Sequence, residues 1–131
     1  MECRRSTDGY SVLAVGRKPY AVVALRGSPG CSVDGTVSFY DTPIGVLVWA
    51  ELAGEALEEQ GVYGFCFGLE RCRLCMHLPL IYGKDGCGRG RTVTEGLRGV
   101  PLVGREIYLK SRSESGFCTA KTLAVGRIVG A

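Results

Sequence analysis

Apolar and polar residues alternate with a period of two along Gly35-Thr36-Val37-Ser38-Phe39-Tyr40, which sets Val37 and Phe39 against Thr36 and Ser38. That period belongs to a strand with one buried face, and Asp41-Thr42-Pro43 ends it with turn chemistry. The preceding run Tyr20–Arg26, YAVVALR, is apolar and β-branched and closes on Gly27-Ser28-Pro29-Gly30, so it predicts a partner strand in a hairpin. Ile44–Leu52 follows within three residues and is almost wholly apolar. Alternation there puts Val46, Val48 and Ala50 on one face and Leu47, Trp49 and Glu51 on the other, predicting a third consecutive antiparallel strand. Val62–Phe67, Leu102–Leu109 and Thr122–Ile128 read as further strands, and Tyr10–Val15 as an edge strand.

Between these runs, residues 54–61 are bracketed by glycines and too short for a stable helix, so they are expected to connect. Residues 68–90 show little periodicity and read as one long loop, and residues 110–121 as a polar one. No βαβ alternation occurs, and turn signals recur at short intervals. The expected fold class is therefore all-β, an antiparallel Greek-key β-sandwich or flattened barrel. Residues 1–18 form an N-terminal tail or edge strand and residues 19–131 one sandwich domain.

Composition sharpens this picture. Twenty glycines in 131 residues disfavour long helices, and a chain of this length buries one core. The longest apolar run, Val46–Ala50, is far short of the roughly 20 residues that cross a bilayer, so no membrane partner is expected. Met1-Glu2-Cys3-Arg4-Arg5-Ser6 leads into no apolar core of a secretory leader. With an odd count of seven cysteines, the expectation is reduced thiols and a cytoplasmic location.

The net charge of +3 conceals an asymmetry, since residues 1–70 carry 5 basic and 9 acidic side chains and residues 71–131 carry 11 and 4, giving −4 and +7. Gly86-Cys87-Gly88-Arg89-Gly90-Arg91 resembles a basic loop for phosphates. No aromatic residues interleave with its arginines to stack bases, so a solvated basic face is the stronger reading and a nucleic-acid partner is not expected.

The order of segments resembles the Cu/Zn superoxide dismutase family: YAVVALRGSP, then GTVSFYD, then a strand with Trp49 ending at Gly54, then Gly64-Phe65-Cys66-Phe67-Gly68, and later Val103-Gly104-Arg105 and Leu123-Ala124-Val125-Gly126. The resemblance spans roughly residues 19–131 and implies the family's sandwich, a homodimer by analogy, and a copper and zinc centre. Yet Cys66 and Gly68 stand where the family's fourth strand carries two copper histidines, and Lys110 stands where a later strand carries another. Val125 replaces the disulfide cysteine that would pair with a residue near Cys72, and Thr122, beside Lys121, falls where the family often carries a cation for superoxide. Most of the zinc loop is missing between about Cys72 and Leu78, leaving His77 near the position of the family's aspartate.

Dismutation needs several imidazoles around copper, and the chain has one histidine. No Ser/His/Asp order, phosphate-binding glycine loop or HExxH run occurs. The expectation is thus a superoxide dismutase-like protein without dismutase activity, retained as a structural or binding module with an unidentified partner and no cofactor. The alternative is a zinc or Cu(I) site built from Cys66, Cys72, Cys75 and His77, because Cys72-x-x-Cys75 offers two thiolates at chelating distance and Cys66 and His77 complete a tetrahedron, with Cys87 as a substitute for one of them. A third reading is a dismutase with a non-standard site. Cys3, Cys31 and Cys118 read as small apolar residues or exposed thiols.

Overall fold

The computed structural model describes residues 16–54, 63–68, 73–78, 80–82, 87–111 and 122–131, and within 73–82 only Met76 is described to its side chain. Among the described residues ten strands run in chain order: β1 (Ala21–Gly27), β2 (Asp34–Thr42), β3 (Gly45–Ala53), β4 (Tyr63–Gly68), β5 (Arg73–Leu78), β6 (Leu80–Tyr82), β7 (Cys87–Thr94), β8 (Glu106–Ser111), β9 (Thr122–Arg127) and β10 (Val129–Gly130). No helix occurs among the described residues, and none is long and apolar enough to cross a membrane. The expected edge strand Tyr10–Val15 and the connection after Gly54 lie outside the described residues.

All pairings are antiparallel, and the order is β5-β4-β8-β9-β1-β2-β3-β7-β6, with β10 added to β1. The first three strands form the meander expected from the sequence, Val23 opposite Val37 and Val37 opposite Ala50. The end of β1 then leaves β2 and pairs with β9, Arg26 opposite Val125. One strand therefore serves both halves of a curled, flattened barrel, the all-β architecture expected.

Alternation decides which residues meet inside. Val23, Leu25, Val37, Phe39, Val48 and Leu52 from one half face Phe65, Phe67, Ile107, Leu109 and Leu123 from the other, all buried in one cluster. Phe39 and Phe67 meet across it with ring centroids 6.1 Å apart and planes 59° apart, a tilted arrangement favoured by the ring quadrupoles. Leu97, Leu102 and Ile128 join this core from outside the main strands.

Two expectations are corrected. Residues 68–90 are not one long loop: β5, β6 and the start of β7 occupy much of that stretch. In β7, Gly88 and Gly90 stand opposite the core residues Leu52 and Ala50, so bare glycines fill the inward positions and erase the apolar half of the alternation. The strand expected over Leu102–Leu109 begins only at Glu106, because Arg105 N–H donates to the Leu102 carbonyl in a turn with Gly104 at φ +90°. The sequence also gives no sign of β10, two residues that follow Ile128.

Candidate functional site

The sequence-predicted site residues fall on β4, β5 and β8. Tyr63, Phe65 and Phe67 take the core positions of β4, so Gly64, Cys66 and Gly68 take the other side of the pleat. On β8, Ile107 and Leu109 face the core, leaving Glu106, Tyr108 and Lys110 on the side shared with Cys66. The register sets Cys66 opposite Tyr108 and Gly64 opposite Lys110. The three positions where the resemblance puts copper ligands are thus brought onto one face of two neighbouring strands.

What occupies them differs from a nitrogen site. Cys66 is fully buried and disulfide-bonded. Gly68 is half-buried, and a Cβ built there meets Glu106 O at 3.7 Å and Tyr108 Cε2 at 3.8 Å, ordinary contacts. Its carbonyl accepts from Arg105 Nη1 at 3.4 Å. Lys110 is buried at 4% exposure, next to a bulge that shifts the register so that it stands opposite Thr122. Tyr108 donates its hydroxyl to Glu106 Oε2, and Arg127 adds an exposed ion pair to Glu106 at 3.8 Å.

Of the thiolate set, Cys75 stands opposite Cys66 and His77 opposite Gly64. Cys72, and the side chains of Cys75 and His77, lie outside the described residues. Among the described residues no three His, Cys, Asp or Glu side chains converge as a metal site. Cys87 is also fully buried and disulfide-bonded, and Cys31 is free and half-buried. The reduced thiols expected from the odd cysteine count are therefore corrected at positions 66 and 87. Pairing of buried cysteines depends on which strands adjoin, which a count does not carry.

A second polar constellation was missed by the sequence reading. On the outer side of β2, β3 and β7, Tyr40, Leu47 and Trp49 form a small buried cluster with Val93. The Arg91 guanidinium lies 4.1 Å from the Trp49 ring centroid and 3.9 Å from Glu51. Arg89 and Arg91 are both buried. The basic loop expected at Gly86–Arg91, and with it the solvated face, is thus a strand from Cys87 whose arginines are withdrawn from water. The available signal was the alternation of Cys87, Arg89 and Arg91 with glycines.

Because Trp49 is the only tryptophan, its emission reports on this face. Arg91→Ala is expected to shift that emission to the red as water reaches the ring and to lower stability by about 1–2 kcal/mol, the range of a desolvated cation–π contact. Fluorescence during urea unfolding reads both.

At the end of the barrel a cleft of about 380 Å³ is lined by Tyr20, Asp41, Val46, Leu97, Arg98 and Pro101, among others. Arg98 spends Nη2 on the Thr42 and Pro43 carbonyls, each at 3.3 Å, so it ties its turn to the β2–β3 turn. Arg17 likewise donates to the Asp41 carbonyl at 3.2 Å. Partial burial, and secondarily the Asp41 carboxylate, push the Tyr20 hydroxyl above the usual tyrosine value of 10.0. The unfolded chain then ionises first as pH rises, so stability should fall as pH climbs past about 10. Tyr20→Phe is expected to flatten that alkaline decline in thermal melts.

These features define the class of protein, an all-β antiparallel sandwich whose polar positions are filled by a disulfide sulfur, a buried lysine and a guanidinium stacked on indole. Compared with known proteins, the chain matches no family model and no curated protein.

Proposed function

We propose that this chain is a superoxide dismutase-like sandwich that does not dismutate superoxide and serves as a structural or binding module. The observation that carries the reading is the content of the three positions that the resemblance gives to copper ligands. Cys66 is held in a disulfide, Gly68 has no side chain to offer, and Lys110 is buried. The lysine amine at the end of a long flexible stem also lacks the imidazole ring that suits copper. The resemblance to the Cu/Zn family rests on short sequence motifs, and the antiparallel sandwich is compatible with it.

A metal-thiolate function is the second reading, favoured by the register that sets Cys75 opposite Cys66 and His77 opposite Gly64. Thiolates and an imidazole suit zinc or Cu(I), but only a reduced Cys66 can join such a set. A reducing cytoplasm keeps cysteines as thiols, so the disulfides at Cys66 and Cys87 weigh toward an oxidising setting for the folded chain and against the cytoplasmic expectation.

One experiment separates the readings. The full chain is equilibrated with copper and zinc, once as isolated and once after reduction, and bound metal and dismutase turnover are measured. The inert reading expects neither retained metal nor turnover in either sample. Zinc retained after reduction and lost in a Cys72→Ser/Cys75→Ser variant would move the assignment to the thiolate site. Copper retained with turnover would overturn both.

A further inference from the structure

Cys66 is disulfide-bonded and fully buried, so its partner must lie against the middle of β4. Cys31 is free and cannot be that partner. Cys87 sits on β7, opposite Ala53. In the strand order β7 is separated from β4 by β8, β9, β1, β2 and β3 in one direction, and β5 and β6 follow at the two ends in the other. Even two strand spacings amount to about 9.5 Å, beyond the roughly 7 Å at which two Cα atoms can be bridged.

The described backbone offers a nearer position. Cys75 is the residue directly opposite Cys66 in the β4–β5 register. Directly opposed residues of an antiparallel pair have Cα atoms about 4.5–5.5 Å apart, within the about 4.4–6.8 Å of disulfides. Arg73, which follows Cys72 in the chain, already stands opposite Gly68, two positions beyond Cys66. At about 3.3 Å of rise per residue, that offset alone is close to 7 Å.

We propose that Cys66 and Cys75 form a cross-strand disulfide that fastens the end strand β5 to β4. It forms by thiol–disulfide exchange with a small-molecule disulfide. One protein thiolate attacks that disulfide, making a mixed disulfide and releasing one small thiol. The second protein thiolate then displaces the other. The protein pair loses two electrons and two protons, and the oxidant becomes two thiols. Because the Cys66 sulfur is shielded from solvent, the bond resists reductants until the sheet opens. The same two cysteines cannot be thiolate ligands while they are joined, so any metal binding through them is confined to the reduced protein.

Trypsin sorts the candidates, since Cys31 and Cys66 fall in the peptide 27–71, Cys72 in 72–73, Cys75 in 74–84, Cys87 in 85–89 and Cys118 in 113–121. The full chain, oxidised and with free thiols alkylated under denaturing conditions, is digested without reduction and mapped by mass spectrometry. The expected product joins 27–71 through Cys66 to 74–84, with Cys31 carrying the alkyl label. Cys66 joined to any other peptide, or found alkylated, overturns the assignment. In a second measurement, Cys75→Ser should render Cys66 alkylatable without reductant and leave Cys87 protected, whereas Cys72→Ser should leave Cys66 protected. The reverse pattern would place the bond at Cys72, and the mapping of the unaltered chain decides by itself if the serine variant does not fold.

Discussion

Gly54→Ala is expected to remove on the order of 4 kcal/mol of stability, in the range that only a few kinds of substitution reach. Gly54 follows β3 with φ at +146°, a region that residues with a Cβ rarely enter. A Cβ there would also press on the Ser32 carbonyl and lie 2.6 Å from Val33 Cα. Both neighbours are backbone, and the chain leading from Val33 into β2 is held by the pairing of Asp34 with Ala53. Neither side can yield without breaking that pairing.

Gly30→Ala supplies the control. Gly30 also has a positive φ, +81°, but nothing lies within 4 Å of a Cβ built there. Its cost should be the conformational term alone, about 1 kcal/mol. Urea denaturation of the two variants measures the difference. Equal losses would mean that the contact with Ser32 and Val33 is relieved by a small shift, and the steric account of Gly54 would fail.

Phe67→Ala should cost about 3–5 kcal/mol, the usual range for removing a buried phenyl ring. Its ring is fully buried and meets Phe39 from the opposite half of the barrel. A double-mutant cycle with Phe39→Ala is expected to show a coupling of about 0.5–1.5 kcal/mol. Coupling near zero would mean that the two halves are held by burial alone.

The parts of this fold legible from the sequence are those where alternation is written in side chains. Val37 and Phe39 against Thr36 and Ser38 gave strand, face and partner together, and the structure pairs them as expected. Where the inward residue is glycine the pattern vanishes. Gly88 and Gly90 are core positions, yet glycine carries no hydropathy signal and ordinarily marks a turn. Local sequence therefore does not distinguish β7 from a loop, and it hides the burial of Arg89 and Arg91 as well.

The candidate site divides along the same line. Cys66 and Lys110 could be set on one face from strand periodicity and the resemblance. The neighbour of Cys66 could not be read from spacing, because Cys75 reaches it through the β4–β5 hairpin, and residues 68–90 gave no register. The stacking of Arg91 on Trp49 depends on a pairing between residues 42 positions apart, which no local window contains.

The two ends of the sheet order, β5 and β6, are consecutive in the chain, Leu78 closing one and Leu80 opening the other. The edges of the curled sheet are thereby tethered to each other by a single residue. Cleaving the chain at that point would leave β5 paired with β4 and β6 paired with β7 and remove only the covalent link between the two edges. Among the described residues, the outer sides of β5 and β6 are each left without a pairing strand, and such a row of backbone donors and acceptors is the template on which strands add and aggregates grow. The short link between Leu78 and Leu80 thus limits how far those two edges can separate.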